Sequence, residues 1–256
     1  MAKNITGIII TLNEEKHIQA CIESLQRVCH EVIVVDSLST DCTVSIAEEC
    51  GARIIKQTYL GDGPQKAFGV PYAANDWILS LDADERLDDD LVNELMRLDL
   101  TRDDTAYAFK RKNYVGDHWI KAAGFYPDYV TRLYNRKTSG YLDKKAHSKV
   151  KAPRIKKVRA HILHYTYHDY SHWMERLNWL TTRDAWAYYQ KGKKQSALRP
   201  FFSATGAFIR KFFIKGGIFQ GVDGMTVTLT TVMRAYMKYI KLNEMHEEAK
   251  KTAAKK

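Results

Sequence analysis

The sequence has few of the residues that mark specialised protein classes. Its 256 residues include only four cysteines, five prolines and 14 glycines, and 45% of the residues are apolar. This balance excludes fibrous, low-complexity and mostly disordered chains. The cysteines, at positions 21, 29, 42 and 50, form no Cys-x-x-Cys pair. The spacing therefore argues against a zinc ribbon and a thioredoxin-type redox site.

Long hydrophobic runs and glycine-rich nucleotide motifs are also missing. No apolar run approaches the roughly 18 residues of a membrane-spanning helix. Ile8–Ile10 is too short for the apolar core of a secretory signal peptide. The sequence contains neither the Gly-x-Gly-x-x-Gly fingerprint of dinucleotide-binding domains nor a P-loop. We therefore expect a cytoplasmic protein that folds under reducing conditions.

Charge is distributed unevenly along the chain. The net charge is +10, but residues 151–256 hold 21 Lys and Arg against seven Asp and Glu, whereas the first 150 residues hold 19 against 23. An acidic front part joined to a basic back part suggests two different tasks. The acidic part is suited to holding a metal ion, and the basic part to facing an anionic partner.

The first half of the chain alternates between apolar strand patterns and helical patterns. Short β-branched runs at Thr6–Leu12, Glu31–Val35, Ala52–Lys56 and Trp77–Leu81 predict four strands, with helical stretches between them. Uninterrupted apolar strands are typical of a parallel sheet covered on both faces. The pattern predicts a doubly wound α/β domain, in which ligands bind beyond the carboxyl ends of the strands.

Polar residues follow three of these strands at the places where ligands are expected. Asp82 and Asp84 come directly after the fourth strand, and two carboxylates at this spacing suit Mg²⁺ or Mn²⁺ with bound phosphates. Asp36 ends the second strand and is able to accept hydrogen bonds from a ribose hydroxyl or a base. The structural alternatives are a solvated acidic loop for Asp82 and Asp84, and a local turn with Ser37 and Ser39 for Asp36.

The order of the motifs is more specific than any one of them. TLNEE (11–15), DSLSTD (36–41), GDGPQKAFG (61–69) and LDADE (81–85) follow successive strands, and FYPDYVTRLYNRK (125–137) and HYTYHDY (164–170) come later. Over nearly its whole length the chain resembles the family 2 glycosyltransferases. It is most similar to the bacterial branch that adds the first hexose to the lipopolysaccharide inner core, the β-1,4-glucosyltransferase type.

The resemblance implies a GT-A nucleotide-diphospho-sugar transferase fold, a mostly parallel Rossmann-like α/β sheet, with a helical C-terminal extension. It implies a UDP-sugar donor and a divalent cofactor, Mg²⁺ or Mn²⁺. The positions that match the family's donor-binding loops are Thr11, Asn13, Glu14, Asp36, Gln65, Lys66 and Asp82. Asp84 matches the carboxylate that contacts the metal directly.

The catalytic base is where the sequence departs from the family pattern. Related enzymes of this branch carry His-Glu after the RLF-type strand, whereas this chain has His147 followed by Ser148. An inverting transferase needs a base that deprotonates the acceptor hydroxyl. His147 and Asp128 are equally good candidates, Asp143 is a third, and weakened catalysis is the remaining alternative.

The second half of the chain is predicted to be helical and basic. Phe201, Phe202, Phe208 and Phe212 recur at helical spacing, and Met225, Leu229, Met233 and Tyr236 repeat the pattern. These stripes pack on the catalytic domain or, together with the Arg210–Lys215 surface, contact an anionic membrane. No recognition motif accompanies the charge, so we expect no nucleic-acid partner.

Together these observations predict three parts of the chain. Residues 1–165 form the GT-A catalytic domain, residues 166–245 form a helical basic region on the acceptor or membrane side, and residues 246–256 form a disordered tail. The predicted reaction is inverting transfer of a hexose, glucose from UDP-glucose, to the heptose region of a lipopolysaccharide core. The enzyme would be peripherally bound to the cytoplasmic face of the inner membrane. The alternatives are a nucleotidyltransferase with a GT-A-like sheet and a non-catalytic binding homologue.

Overall fold

The computed structural model describes residues 3–142 and 149–254. The chain divides into two compact units. The first comprises Met1–Lys112 and Pro127–Tyr165, and the second comprises Asn113–Tyr126 and Thr166–Lys256.

The first unit begins with four parallel strands that alternate with three helices. Strand β1 pairs in parallel with both β2 and β4, and β2 pairs in parallel with β3. In chain order, these elements are β1 (Lys3–Thr11), α1 (Ile18–Gln26), β2 (Cys29–Asp36), α2 (Thr43–Glu49), β3 (Arg53–Lys56), α3 (Asp62–Gly69), a short 3₁₀ turn (Val70–Tyr72) and β4 (Trp77–Asp82).

Antiparallel strands extend the sheet beyond β4. The order across the sheet is β3-β2-β1-β4-β8-β6-β11-β5. The added elements are β5 (Glu85–Leu87), α4 (Asp89–Arg97), β6 (Thr105–Val115), β8 (Asp128–Asn135) and β11 (Arg154–Tyr167). Within the second unit, β7 (His118–Ile120) pairs with residues 113–115 of β6. β9 (Gly140–Tyr141) and β10 (Val150–Lys151) form a separate two-stranded sheet. The α/β prediction is confirmed.

Apolar side chains from alternate strand positions are buried on both faces of the sheet. In β1, Ile5 and Ile9 join the cluster that includes α1 and α4, whereas Ile8 joins the cluster on the opposite face. In β2, Val34 and Val35 divide in the same way. Successive side chains of a strand point to opposite faces, so a strand covered on both sides must be apolar throughout. This explains the uninterrupted runs in the sequence.

The register of the parallel strands brings their carboxyl ends together. Thr11 is the partner of Asp36 across β1 and β2, and Ile10 is the partner of Asp82 across β1 and β4. The polar residues that follow these strands therefore lie at one edge of the sheet.

Helices make up most of the second unit. Among the described residues, they are α5 (Tyr170–Gln190), α6 (Arg199–Phe208), a π-helical segment (Ile209–Ile214), a 3₁₀ turn (Gly217–Phe219) and α7 (Gly221–Ala254). Both α5 and α6 pack against α7. A small apolar cluster joins these helices to β7 through Ile120, Trp173 and Val227.

Helix α7 continues to Ala254, through residues for which the sequence predicts a disordered tail. Hydrogen bonds hold its last turns to the segment after α5. Gln195 Nε2 donates to Glu247 Oε1 at 2.7 Å, and Asn243 Nδ2 donates to the Ser196 carbonyl at 3.0 Å. These contacts join residues about fifty positions apart, so local composition does not reveal them. No helix in the described residues is long and apolar enough to cross a membrane.

Candidate active site

The loops that follow β1 and β2 are joined by hydrogen bonds. Asn13 has a positive φ of 54°, a conformation that asparagine tolerates better than most residues. Its Oδ1 accepts a hydrogen bond from Thr40 N at 2.8 Å, and its backbone N–H donates to Ser39 Oγ at 2.9 Å. Glu14 N donates to Thr43 Oγ1 at 2.7 Å. Asn13 and Glu14 thus shape the rim of the sheet edge.

Asp36 is fully buried and closes the turn that follows β2. Its carboxylate accepts hydrogen bonds from the backbone N–H groups of Leu38 and Ser39, each at 3.0 Å, and from Ser39 Oγ at 2.5 Å. The turn with Ser39 that the sequence allowed is therefore present. Thr11 lies beside Asp36, and its buried Oγ1 has no hydrogen-bond partner among the described residues.

Gln65 and Lys66 are both buried on α3 but have different partners. The Gln65 amide holds the preceding loop, because Nε2 donates to Ser37 Oγ at 3.1 Å and to the Gln57 carbonyl at 3.0 Å, and Oε1 accepts from Leu60 N at 3.0 Å. In this structure the Gln65 side chain therefore holds the loop that precedes α3 in place. Lys66 instead reaches the end of β4.

Lys66 and Arg132 flank the Asp82 carboxylate. Lys66 Nζ lies 2.6 Å from Asp82 Oδ1, and Arg132 Nη2 donates to Asp82 Oδ2 at 2.6 Å. Burial opposes ionisation of Asp82, but Arg132 and Lys66 outweigh it and hold the pKa of that carboxyl well below its usual range. Asp82 is an anion held between two cations, so its first role is to position them.

Glu85 and Arg111 continue this chain of alternating charges. Arg132 Nη2 also donates to Glu85 Oε1 at 2.6 Å, and Arg111 Nη1 donates to the same oxygen at 3.2 Å. Arg111 then donates to Asp128 Oδ2 from both Nε, at 2.8 Å, and Nη2, at 2.6 Å. Asp128 is held through one oxygen, and its Oδ1 accepts no hydrogen bond from the described residues.

Asp84 points to a different partner, the imidazole of His164 on β11. Asp84 Oδ2 lies 3.3 Å from His164 Nε2. Burial disfavours the charged form of each group, but the pair outweighs it: His164 lowers the pKa of Asp84, and Asp84 raises the pKa of His164. A carboxylate oxygen and an imidazole nitrogen face each other at this edge of the sheet.

Asp84 and His164 fit a divalent ion better than Asp82 does. Both oxygens of Asp82 are engaged by cations, whereas the Asp84 carboxylate is paired through Oδ2 with His164, whose Nε2 would bind a metal only after losing its proton. Among the described residues, no cluster of three or more His, Cys, Asp or Glu is arranged to hold a metal. Two protein ligands nevertheless suit Mg²⁺ or Mn²⁺, which commonly completes its shell with water and substrate phosphates.

The structure brings most of the predicted site residues to one edge of the sheet. The members of this group are Thr11, Asn13, Glu14, Asp36, Gln65, Lys66, Asp82, Asp84 and Asp128. His147 and Asp143 lie outside the described residues. Sequence reasoning missed Glu85, Arg111 and Arg132, which link Asp82 to Asp128. A charged residue followed directly by apolar strand residues, as Arg132 is by Leu133 and Tyr134, is the pattern that could have revealed them.

Comparison with known proteins gives consistent matches. The family model described as Glycosyl transferase family 2 matches residues 6–161. An uncharacterized glycosyltransferase of Rickettsia bellii is 30% identical over 258 residues, covering 96% of this chain and 88% of the relative. The lipopolysaccharide core biosynthesis glycosyltransferase LpsC of Rhizobium meliloti is 28% identical over 256 residues, covering 94% and 93% of the two chains.

A solved structure supports the architecture. Residues 1–349 of S. aureus TarS superpose with a TM-score of 0.50 at 13% identity, covering 97% of this chain and 92% of that chain. The predicted GT-A fold with a helical C-terminal region is confirmed.

Proposed function

The chain belongs to glycosyl transferase family 2, and from that membership we propose that it transfers glucose from UDP-glucose, with inversion, to the heptose region of a lipopolysaccharide core. Glycosyl transfer is the activity of the family. The identity of the donor, the identity of the acceptor and the inversion at the anomeric carbon are what we propose for this chain.

The observation that carries the donor half of the proposal is the arrangement at the end of β4. Lys66 and Arg132 present positive charge beside Asp82, while Asp84 faces His164. Cations and a bound divalent ion stabilise a diphosphate, because its negative charge must be neutralised when it binds and again when it leaves. Thr11 Oγ1 and Asp36 lie at the same edge and are the groups that we assign to the nucleoside.

The acceptor half rests on the relative from Rhizobium meliloti and on charge. That relative is named for lipopolysaccharide core biosynthesis and aligns with nearly the whole chain. An acceptor rich in phosphate and carboxylate groups would complement the basic residues 151–256. We accordingly assign residues 1–165 to donor binding and catalysis and residues 166–245 to the acceptor or membrane side. Peripheral attachment to the cytoplasmic face of the inner membrane would bring the chain to such an acceptor.

In the proposed mechanism, each charged group has one task. Asp84 and His164 would hold Mg²⁺ or Mn²⁺, which supplies neutralisation of the diphosphate and stabilisation of the departing UDP. Lys66 and Arg132 would orient the phosphates. Asp128 Oδ1 would accept the proton of the acceptor hydroxyl as it attacks the anomeric carbon. Arg111 would orient Asp128 through its two hydrogen bonds.

His147 is the other candidate for the base, and Asp143 the third. Imidazole has an ordinary pKa near neutrality and is an effective base there. If neither histidine nor carboxylate served, the chain would be a weakened homologue that binds the donor without turnover. A nucleotidyltransferase would instead release pyrophosphate, so the identity of the released product separates the two chemistries.

The experiment is a UDP-release assay with a panel of UDP-sugars and Mn²⁺ or Mg²⁺, with and without deep-rough lipopolysaccharide. We expect acceptor-stimulated UDP release from UDP-glucose and loss of this release in Asp84→Ala. Asp90→Ala is the matched control, because Asp90 is an exposed carboxylate in the first turn of α4. Equal turnover in folded Asp84→Ala and wild type would contradict the metal assignment. Release of pyrophosphate would contradict glycosyl transfer as a whole.

A further inference from the structure

The second unit exposes an apolar surface at the connection between α6 and α7. We call the residues Phe213, Ile214, Ile218, Phe219 and Val222 the apolar turn. Phe219 is 87% exposed, Val222 81% and Ile214 73%. Single exposed apolar residues are normal on a protein surface, but several large ones within ten positions mark an interaction site.

Exposed apolar residues continue from this turn along both helices. Leu198, Phe202 and Ile209, spaced by four and seven residues, share one face of the α6 segment. Met225, Leu229 and Met233 repeat at four-residue spacing on α7 and are also exposed. The two stripes, for which the sequence predicts either core packing or membrane contact, are therefore partly solvent-facing, and each leads to the apolar turn.

The backbone of the turn is packed too tightly to take these side chains inside. Gly216 and Gly221 adopt positive φ angles of 71° and 58°. A Cβ atom at Gly224 would lie 2.1 Å from the Gly217 carbonyl oxygen. Since the 3₁₀ turn lies directly on the first turn of α7, its large side chains project outward.

Basic residues predominate around the apolar turn, and Asp223, the acidic residue that follows it, is paired with His118 at 2.9 Å. Residues 198–222 contain four basic residues and no acidic residue. Arg210 and Lys215 are exposed and form no ion pair within the described part of the chain. Lys211 is the basic residue that turns inward, where its Nζ donates to the Ala123 carbonyl at 2.7 Å. Exposed apolar side chains edged by unpaired cations are complementary to the head-group zone of an anionic bilayer.

We propose that the apolar turn inserts into the surface of an anionic phospholipid bilayer, with Arg210 and Lys215 at the head groups. This membrane docking depends on the proposed function in one respect, since its purpose would be to bring the enzyme to an acceptor anchored in that membrane. The unpaired cations favour a lipid surface over a second copy of this chain, because two copies would bring Arg210 and Lys215 toward like charges.

The test is co-sedimentation of the full chain with vesicles, without nucleotide or acceptor. Vesicles of phosphatidylcholine alone are compared with vesicles that also contain phosphatidylglycerol, at low and high salt. We expect wild-type binding to the anionic vesicles and weaker binding as salt rises. Phe219→Ser should reduce the vesicle partition coefficient about ten-fold, since a phenylalanine side chain gains at least that factor on burial.

Matched controls come from β11 in the first unit. Ile155 is 50% exposed, so Ile155→Ser removes a comparable apolar side chain away from the apolar turn. Lys156→Glu is the control for each of the two single variants Arg210→Glu and Lys215→Glu. These two variants should lose the preference for anionic vesicles. Circular dichroism and thermal unfolding check that every variant is folded.

Three results would overturn the docking. They are absence of wild-type binding to anionic vesicles, equal binding by Phe219→Ser, and a dimer in solution that Phe219→Ser dissociates. UDP release with a short soluble core oligosaccharide needs no membrane, so it tests the proposed function separately. Release without vesicle binding would refute the docking alone, and vesicle binding without release would refute the function alone.

Discussion

Glu85 carries the most demanding prediction for stability. Its side chain is fully buried, and it accepts hydrogen bonds from both Arg132 and Arg111 while its other oxygen accepts from the Asp82 backbone N–H at 3.0 Å. Glu85→Gln keeps the size of the side chain and removes its charge. The new amide NH₂ must also face one of these donors, so at least one hydrogen bond becomes a donor–donor contact.

The expected loss follows from these contacts. Hydrogen bonds to charged groups contribute about 1.5–3 kcal/mol each, and breaking a buried ion pair costs about 3–5 kcal/mol. Arg132 keeps Asp82 and Arg111 keeps Asp128, so we expect a loss between these two figures, about 2–4 kcal/mol. In a domain of roughly this size 1 kcal/mol corresponds to about 2–4 °C, which predicts a Tm lower by roughly 4–16 °C.

The assay is thermal and urea unfolding of Glu85→Gln beside Glu48→Gln. Glu48 lies on α2 and is exposed, so its substitution should leave the free energy of unfolding within about 0.5 kcal/mol of wild type. If both variants unfold at the wild-type temperature, the buried charge of Glu85 does not stabilise the chain, and the argument from its three donors is wrong.

Two further predictions concern catalysis and pH. Asp128→Asn should lower kcat for acceptor-dependent UDP release about 10²–10⁴-fold, the usual gain from a catalytic base, with an unchanged KM for the donor. A kcat within roughly threefold of wild type would instead assign the role of catalytic base to His147. Burial raises the pKa of Asp41, but hydrogen bonds from Thr43 and Glu15 outweigh it and lower that pKa. Asp41→Asn should therefore be less stable than wild type at neutral pH, with the difference vanishing as pH falls through about 4 and below. Urea unfolding at several pH values measures this, and a difference that persists at the lowest pH would refute it.

Much of the parallel sheet could be predicted from the sequence because its strands are buried on both faces. The apolar run predicted as Glu31–Val35 is β2, Cys29–Asp36, and the run predicted as Trp77–Leu81 is β4, Trp77–Asp82. β11 could not be predicted in the same way. Its sequence RIKKVRAHILHYTY contains charges at its exposed positions, and its partners β5 and β6 are distant along the chain.

The candidate site divides similarly. The acidic residues at strand ends were visible because parallel strands bring their carboxyl ends to one edge. The partner of each acid was not visible. Lys66 on α3 and Arg132 on β8 neutralise Asp82, and His164 on β11 faces Asp84. In the sheet, β8 is the neighbour of β4 and β11 is the neighbour of β5. Pairings of this kind depend on tertiary register, which local patterns in a sequence do not contain.

The helical unit is built from two separate stretches of chain, and this limits how the protein can change by recombination. Within residues 113–126, His118 lies 2.9 Å from Asp223, Ala123 N donates to Gln220 Oε1 at 2.6 Å, and Phe125 contacts the Trp173 ring. A crossover at residue 165 alone would join a foreign helical region to a 113–126 segment that was selected for other partners. A relative that keeps residues 127–165 of its first unit can therefore acquire a different helical unit intact only by exchanging both residues 113–126 and the residues after 165.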